Sequence, residues 1–237
     1  MRELLPITLV SATRLSEKQF HASSMLAASL RRCAELEPVA LRLASGNTAP
    51  LGAVYNEAID LADPQQILVF LHDDVHLDDW FLGVRLTEAL GRFDIVGVAG
   101  NRRLQAEQDT WYLQPGTLID GAMVMGARDT DWLSGAVRHG NLRHSDLTVF
   151  GPCPSAVRLL DGVFLAARAG TLQKAGVRFD PTLGFHHYDL DFCRVAEAAG
   201  LSLGTWPIAL THASRGGSVH SDAWLESRAL YLEKWRG

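Results

Sequence analysis

Three stretches of this chain hold residue types that do acid–base, metal or phosphate chemistry. The first is His72-Asp73-Asp74, directly behind the apolar run "ILVFL". Adjacent carboxylates repel unless a cation or hydrogen bonds offset them. Their hard oxygens suit Mg2+ or Mn2+, which keep waters and bind through one or two carboxylates plus a substrate phosphate. A solvated turn explains the same residues, because Asp side chains bond nearby backbone N–H groups. On this segment alone both readings stand. Asp78 and Asp79 differ: as first-turn acids they suit the cap and dipole of a helix start.

The second stretch is "GFHHYDLDF", residues 184–192. Capping explains one of Asp189 and Asp191 at a helix start. A carboxylate here is also placed to accept a proton from a substrate hydroxyl, as a general base does. A helix N-terminus works against that role, since it stabilises the charged carboxylate and weakens the base. His186 and His187 read first as a packed or surface pair. The third stretch is "THASRGGS", with His212 and Arg215. Imidazole completes a Mn2+ sphere, and Arg beside two glycines makes a mobile bidentate phosphate clamp. The plainer readings are a hydrogen-bonded loop histidine and an exposed basic residue.

The elements that must position these residues alternate in type. "ITLVSATR" reads as a buried strand, and Ser16 with Gln19 has capping-box spacing for a helix through about Arg32. "VALRLAS" is a second strand, followed by the turn-rich "GNTAPLG". A helix follows near "VYNEAIDLA", with Val54, Ala58, Leu61 and Ala62 on one face. "ILVFL" has the unbroken apolar character of a strand buried on both sides of a parallel sheet. Leu82, Leu86, Ala89 and Leu90 line the next helix, and "DIVGVAG" is another strand. Alternating strands and helices imply a parallel, helix-covered sheet. In such sheets ligands bind beyond the carboxyl ends of the strands, where His72 to Asp74 fall. Residues 102–155 read as irregular or antiparallel, with "GTLIDGAMVMGAR" the clearest strand-like piece. "VRLLDGVFLAAR" and "LSLGTWPIAL" read as single strands. Helices are expected near "GTLQKAG", from Asp189 to Gly200, and from Ser221 on, the last with Trp224, Arg228, Tyr231 and Trp235 on one face.

Composition narrows the classes. The chain's 237 residues suit one large domain or two small ones, long enough to bury a core without staples. A net charge of −5, with only Arg31-Arg32 and Arg102-Arg103 as basic pairs, argues against a nucleic-acid partner. Cys33, Cys153 and Cys193 lack metal or disulfide spacing, which points to a reducing cytoplasm. No run approaches the ~18 apolar residues of a membrane span. Peripheral membrane association stays open.

The order of motifs resembles the nucleotide-sugar-dependent glycosyltransferases of the GT-A type, in the family 2-like group. Its "YN-acid-A", "HxDV" and "fHfYDxDf" patterns correspond to "YNEAI" (55–59), "LHDDV" (71–75) and "FHHYDLDF" (185–192), with "LLDGVFLAAR" and "FDPTLGF" in the expected order. The resemblance spans about Ile7 to Trp235. It implies an α/β chain of GT-A fold: an open, mostly parallel sheet flanked by helices, forming one domain over 1–237. Residues 1–101 would be the half that binds the nucleotide sugar, and 102–237 the half that binds the acceptor. It further implies sugar transfer from a nucleotide-diphosphate sugar to an acceptor hydroxyl of a glycan or glycoconjugate, with inversion, in cell-surface glycan assembly of bacterial type. Carried over by position, Asp74 and His212 would hold Mn2+ or Mg2+, and Asp189 would be the base. Thr13, Arg14, Asn47, Asp73, Asp161, Gly162 and Arg215 would line the donor. His72 stands where the family's DxD-like motif begins with Asp, and Tyr188 stands where Glu precedes the base.

Two other classes use the same residues. A metal-dependent hydrolase of a phosphate ester or sugar nucleotide would use Asp74 and His212 with water as acceptor. A binding module on this fold would keep the nucleotide site without activity. A pyrophosphorylase is disfavoured, because no Gly-rich, Lys-containing loop follows the first strand.

Overall fold

A computed structural model describes residues 5–33, 39–119, 122–214 and 221–236. Its strands are β1 (Ile7–Ala12), β2 (Val39–Ala44), β3 (Ile67–Leu71), β4 (Val75–Leu77), β5 (Ile95–Gly97), β6 (Ala99–Asn101), β7 (Thr117–Ile119), β8 (Ala122–Val124), β9 (Leu133–Gly140), β10 (Ser145–Gly151), β11 (Ser155–Val157), β12 (Leu159–Leu160), β13 (Phe164–Arg168), β14 (Leu203–Thr205) and β15 (Leu210–His212). Its helices are α1 (Glu17–Ser23), α2 (Met25–Cys33), α3 (Leu51–Leu61), α4 (Leu82–Ala89), α5 (Ala169–Ala175), α6 (Tyr188–Ala198) and α7 (Asp222–Lys234).

A seven-stranded sheet runs in the order β11-β14-β5-β13-β3-β1-β2. β1 is parallel to β2 and β3. β13 is antiparallel to both β3 and β5, so β5 runs with β3. β14 is parallel to β5, and β11 is antiparallel to β14. Thus β1, β2, β3, β5 and β14 share one direction, and the sheet is open and mostly parallel. β3 is buried at all of its positions, as its unbroken apolar run requires. A second sheet, β12-β6-β9-β15-β4 with β10 on β9, is mainly antiparallel. Residues 102–155 supply its β9–β10 hairpin, as their irregular or antiparallel reading expected.

The two sheets correct three strand expectations. "DIVGVAG", "VRLLDGVFLAAR" and "LSLGTWPIAL" each feed two strands, β5 and β6, β12 and β13, β14 and β15. In each case the chain leaves one sheet and enters the other. Apolar periodicity reports burial, and these six strands are buried in whichever sheet they join, so the crossing leaves no mark in it. The first helix also divides. Ser24 is extended (φ −71°, ψ 141°) between α1 and α2. Its hydroxyl accepts from the Ala27 N–H and donates to the Asp73 carbonyl at 2.8 Å. The break thus ties the helices to the "HDD" turn.

Two caps are reassigned. Asp78 accepts from Thr211 Oγ1 at 2.7 Å and bonds His76, which fastens β4 to β15. Asp79 accepts from the Phe81 N–H, while Phe81 itself holds the N-cap position of α4. On α3 the buried face is Val54, Tyr55, Ala58 and Ile59, and Leu61 points to solvent. Asn56 clamps the Phe179 backbone with two hydrogen bonds, 2.8 and 2.9 Å, joining "YNEAI" to "FDPTLGF".

The last helix begins at Ser221, whose hydroxyl accepts from the Trp224 N–H, and buries Trp224, Arg228 and Tyr231 as its pattern expected. Fully buried Asp191 docks its end by accepting from Lys234 Nζ and from Trp235 Nε1 at 2.8 Å. Removing a buried, bonded carboxylate leaves the Trp235 indole N–H without its acceptor and Lys234 with Asp180 alone. Asp191→Ala is therefore expected to lose about 2–4 kcal/mol in urea unfolding. A loss below about 1 kcal/mol would show that the helix docks by its apolar face alone.

Candidate functional site

Strand register, more than chain order, assembles the site. β3 ends at Leu71, and His72 to Asp74 follow at its carboxyl edge. β13 runs antiparallel to β3 with Phe164 opposite Leu71. Residues just before β13, Asp161 and Gly162, therefore reach the same edge. β15 pairs with β4 so that His212 lies opposite Val75, next to Asp74. His72 and Asp74 lie in the turn between β3 and β4, which the Val75 N–H closes onto the His72 carbonyl.

The result is a group of three. One ligand atom each from His72, Asp74 and His212 lies within 4.8 Å of the others. His212 Nε2 stands 3.2 Å from Asp74 Oδ1. Neighbouring ligands of an octahedral ion bound at ~2.1 Å are about 3.0 Å apart, so the spacing fits a divalent cation. Two imidazoles and one carboxylate suit Mn2+, Fe2+ or Zn2+ better than Mg2+, which prefers oxygen donors. Burial acts to raise the Asp74 pKa. The hydrogen bond and charge of His212, with His72 beyond, nevertheless hold it below the usual carboxylate range. Burial, with the charge of His212, pushes His72 below its ordinary value and favours the neutral ring a ligand must present.

Asp73 turns away from this group. Its carboxylate accepts from Thr13 Oγ1 at 2.5 Å, and its carbonyl is held by Ser24 and the Leu26 N–H. Thr13, Arg14 and Asn47 line one cleft of about 980 Å3 with Asp73. The Asn47 amide closes its own loop against Ala49, while its backbone N–H bonds the Thr13 carbonyl. A second cleft of about 720 Å3 is lined by His72, Asp74, His212, Asp161 and the rings of Trp111 and Tyr112. The clefts share Asp73 and Phe185. Both fall in the size range of small-molecule sites. Arg215 lies outside the described residues.

Asp189 sits in the first turn of α6, just behind Asp161, and lines neither cleft. Its Oδ2 accepts from the Gly162 N–H at 2.9 Å and its Oδ1 from the Leu190 N–H at 2.9 Å. Neither Asp189 nor Asp191 is the helix cap, a position held by His187 with φ 58° and no side-chain cap bond. Burial, and then the negative charge of Asp161, raise the Asp189 pKa to about 7 despite the two N–H bonds. Desolvation outweighs the helix N-terminus here, opposite to the weakening expected from sequence. His187 is buried against Trp224 and Tyr231, with Nδ1 3.0 Å from Ser227 Oγ, so it is the packed residue its plain reading proposed.

No protein-family profile matches this chain, and no curated protein matches it. Among solved structures it is similar to GalNAc-T7, crystallised with UDP, GalNAc and Mn2+, with a TM-score of 0.53 and 12% identity. That alignment covers 98% of this chain and 48% of the other. This chain has the GT-A fold. It spans about half the length of that GT-A neighbour. It is also similar to A197 from STIV, 9% identical over 91% of this chain and all of that one, with a TM-score of 0.48.

On this GT-A scaffold sequence reasoning missed two contributors. His72 joins Asp74 and His212 from the turn that follows β3. The Tyr188 hydroxyl lies 3.0 Å from His72 Nε2. A bond between residues 116 apart has no local signature.

Proposed function

We propose that this chain is a metal-dependent glycosyltransferase of the family 2-like group. In this reading it moves a sugar from a nucleotide-diphosphate sugar to an acceptor hydroxyl. The observation that carries it is the meeting of His72, Asp74 and His212 with the Asp161–Asp189 pair at one sheet edge. The motif order of the sequence supports the family, and the Mn2+ and UDP of the GalNAc-T7 structure support the ligand class. Residues 1–101 carry the donor side through Thr13, Arg14, Asn47 and Asp73. Residues 102–237 carry the acceptor side, a glycan or glycoconjugate. No helix among the described residues is long and apolar enough to cross a membrane. The cytoplasmic setting remains part of the reading through the cysteine pattern.

His72, Asp74 and His212 would hold the cation, and Mn2+ suits their nitrogen donors better than Mg2+. Bound there, a divalent cation supplies positive charge against the diphosphate of the leaving nucleotide. Asp189 takes the acceptor hydroxyl's proton. The acceptor oxygen bonds to the anomeric carbon as the bond from that carbon to the diphosphate oxygen breaks. One displacement with one base inverts the anomeric centre.

A thermal-shift panel of nucleoside diphosphates and nucleotide sugars, with and without Mn2+, tests the reading. A ligand that binds only the native state raises its stability. The expected result is a shift with one nucleotide that requires Mn2+. No shift with any nucleotide, or one indifferent to metal, would overturn it. Donor consumption without acceptor, at the rate of the best acceptor, would make the protein a hydrolase.

A further inference from the structure

We infer that Tyr188 is a positioning residue that fixes His72 as the third ligand of the metal-binding group. The inference rests on the metal-dependent reading above and adds to it a residue that touches no substrate. Its basis is a count of protons. The Tyr188 hydroxyl lies 3.0 Å from His72 Nε2 and 3.1 Å from the Gly162 carbonyl oxygen, with the Tyr55 hydroxyl, which carries a proton of its own, also beside it. A carbonyl only accepts, so the hydroxyl's single proton goes to Gly162. Toward His72 the hydroxyl oxygen is then an acceptor, and His72 must donate from Nε2–H. Were the proton turned to His72 instead, two bare oxygens would face each other at 3.1 Å inside a buried pocket. A neutral imidazole carries one N–H, so Nε2–H leaves the Nδ1 lone pair free for a cation.

The surroundings hold this arrangement. Tyr188 is 3% exposed, and its ring is packed by Tyr55 at 6.0 Å and Phe179 at 6.1 Å. Gly162 has to be glycine, because a Cβ there would overlap the Tyr188 hydroxyl. Gly162 also donates its N–H to Asp189 Oδ2. One residue therefore joins the imidazole of the metal group to the proposed base. His72 and Tyr188, the two positions where this sequence departs from the family pattern, are in direct contact.

The test reads metal binding and tautomer, not turnover. Co2+ serves as the probe, by titration calorimetry and by its visible spectrum. Tyr188→Phe keeps the ring and removes only the hydroxyl. It is expected to weaken Co2+ binding about 10–100-fold, the usual effect of losing an outer partner of a ligating histidine, and to alter the Co2+ bands. 15N NMR of the metal-free wild type is expected to show His72 with its proton on Nε2, a readout that does not depend on the variant folding. A proton on Nδ1, or wild-type Co2+ affinity and spectrum in Tyr188→Phe, would overturn the inference. If Asp74→Ala still abolishes binding in that case, the metal reading survives alone. Absence of Co2+ binding by the wild type would remove both.

Discussion

Asp189→Asn is expected to lower kcat by about 10²–10⁴-fold, the usual worth of a general base, while making the protein more stable above pH 7. Both effects come from one cause. Burial and the Asp161 charge raise this carboxyl from 3.8 to about 7. The folded state then holds the Asp189 proton more tightly than the unfolded chain does. The stability this contributes is full below the unfolded value near 4, erodes as pH climbs from there, and is gone above about 7. Asn cannot ionise, so it escapes the loss. The Tm of the variant minus that of the wild type should therefore widen between pH 4 and 7 and then level off. A difference that stays flat from pH 4 to 8 would show that Asp189 does not titrate in this range. In the wild type, kcat/KM should rise with pH and plateau just above 7. Asp161→Asn removes the neighbouring charge and should shift that limb to lower pH. Because Asp161 lines the cleft and Asp189 lies behind it, the pair of variants also tests the roles. If Asp161→Asn kills activity and Asp189→Asn spares it, Asp161 is the base.

The second large effect is expected at Asp74. Asp74→Ala should weaken Mn2+ binding by more than about 100-fold, since loss of an outer partner alone costs 10–100-fold. The Mn2+-dependent nucleotide shift should disappear with it. Asp74 is the only carboxylate in the group and, with its side chain 36% exposed, sits at the rim. Its contact with His212 is partly solvated and is worth at most about 1 kcal/mol. The metal-free Tm should consequently stay within about 3 °C of wild type. That separation marks the loss as one of ligation. A variant that kept the Mn2+-dependent shift would remove Asp74 from the metal site. His212→Ala should resemble it, leaving His72 and Asp74 as the remaining donors.

Much of the framework was legible in the chain. The unbroken "ILVFL" announced a strand buried on both faces, and β3 is one. Ser16 and Gln19 announced the capping box that opens α1. The acids behind β3 were readable as facing a crevice, because the carboxyl ends of parallel strands do, and Asp73 and Asp74 line a cleft there. Other elements misled for definite reasons. Ser24 breaks a helix that local propensity would continue, because its hydroxyl serves the Asp73 carbonyl across 49 residues. Asp78 looks like a helix cap and is instead the acceptor for Thr211 on a neighbouring strand. Local pattern cannot name a partner that far along the chain.

The sequence by itself determined which polar residues lie at strand ends and at a helix start, and so which side chains were available: His72, Asp74, Asp161 and His212 by the strands, Asp189 in the first turn of α6. Only the tertiary structure decided which of them meet. The antiparallel run of β13 turned Asp161 and Gly162 to the edge of β3, and the register of β15 set His212 beside Asp74. It also decided what Asp189 is. A helix start alone favours the charged carboxylate, whereas desolvation and a second carboxylate nearby favour the protonated one. Those two influences come from groups far away in sequence, and they outweigh the local one because water has been excluded from around the side chain.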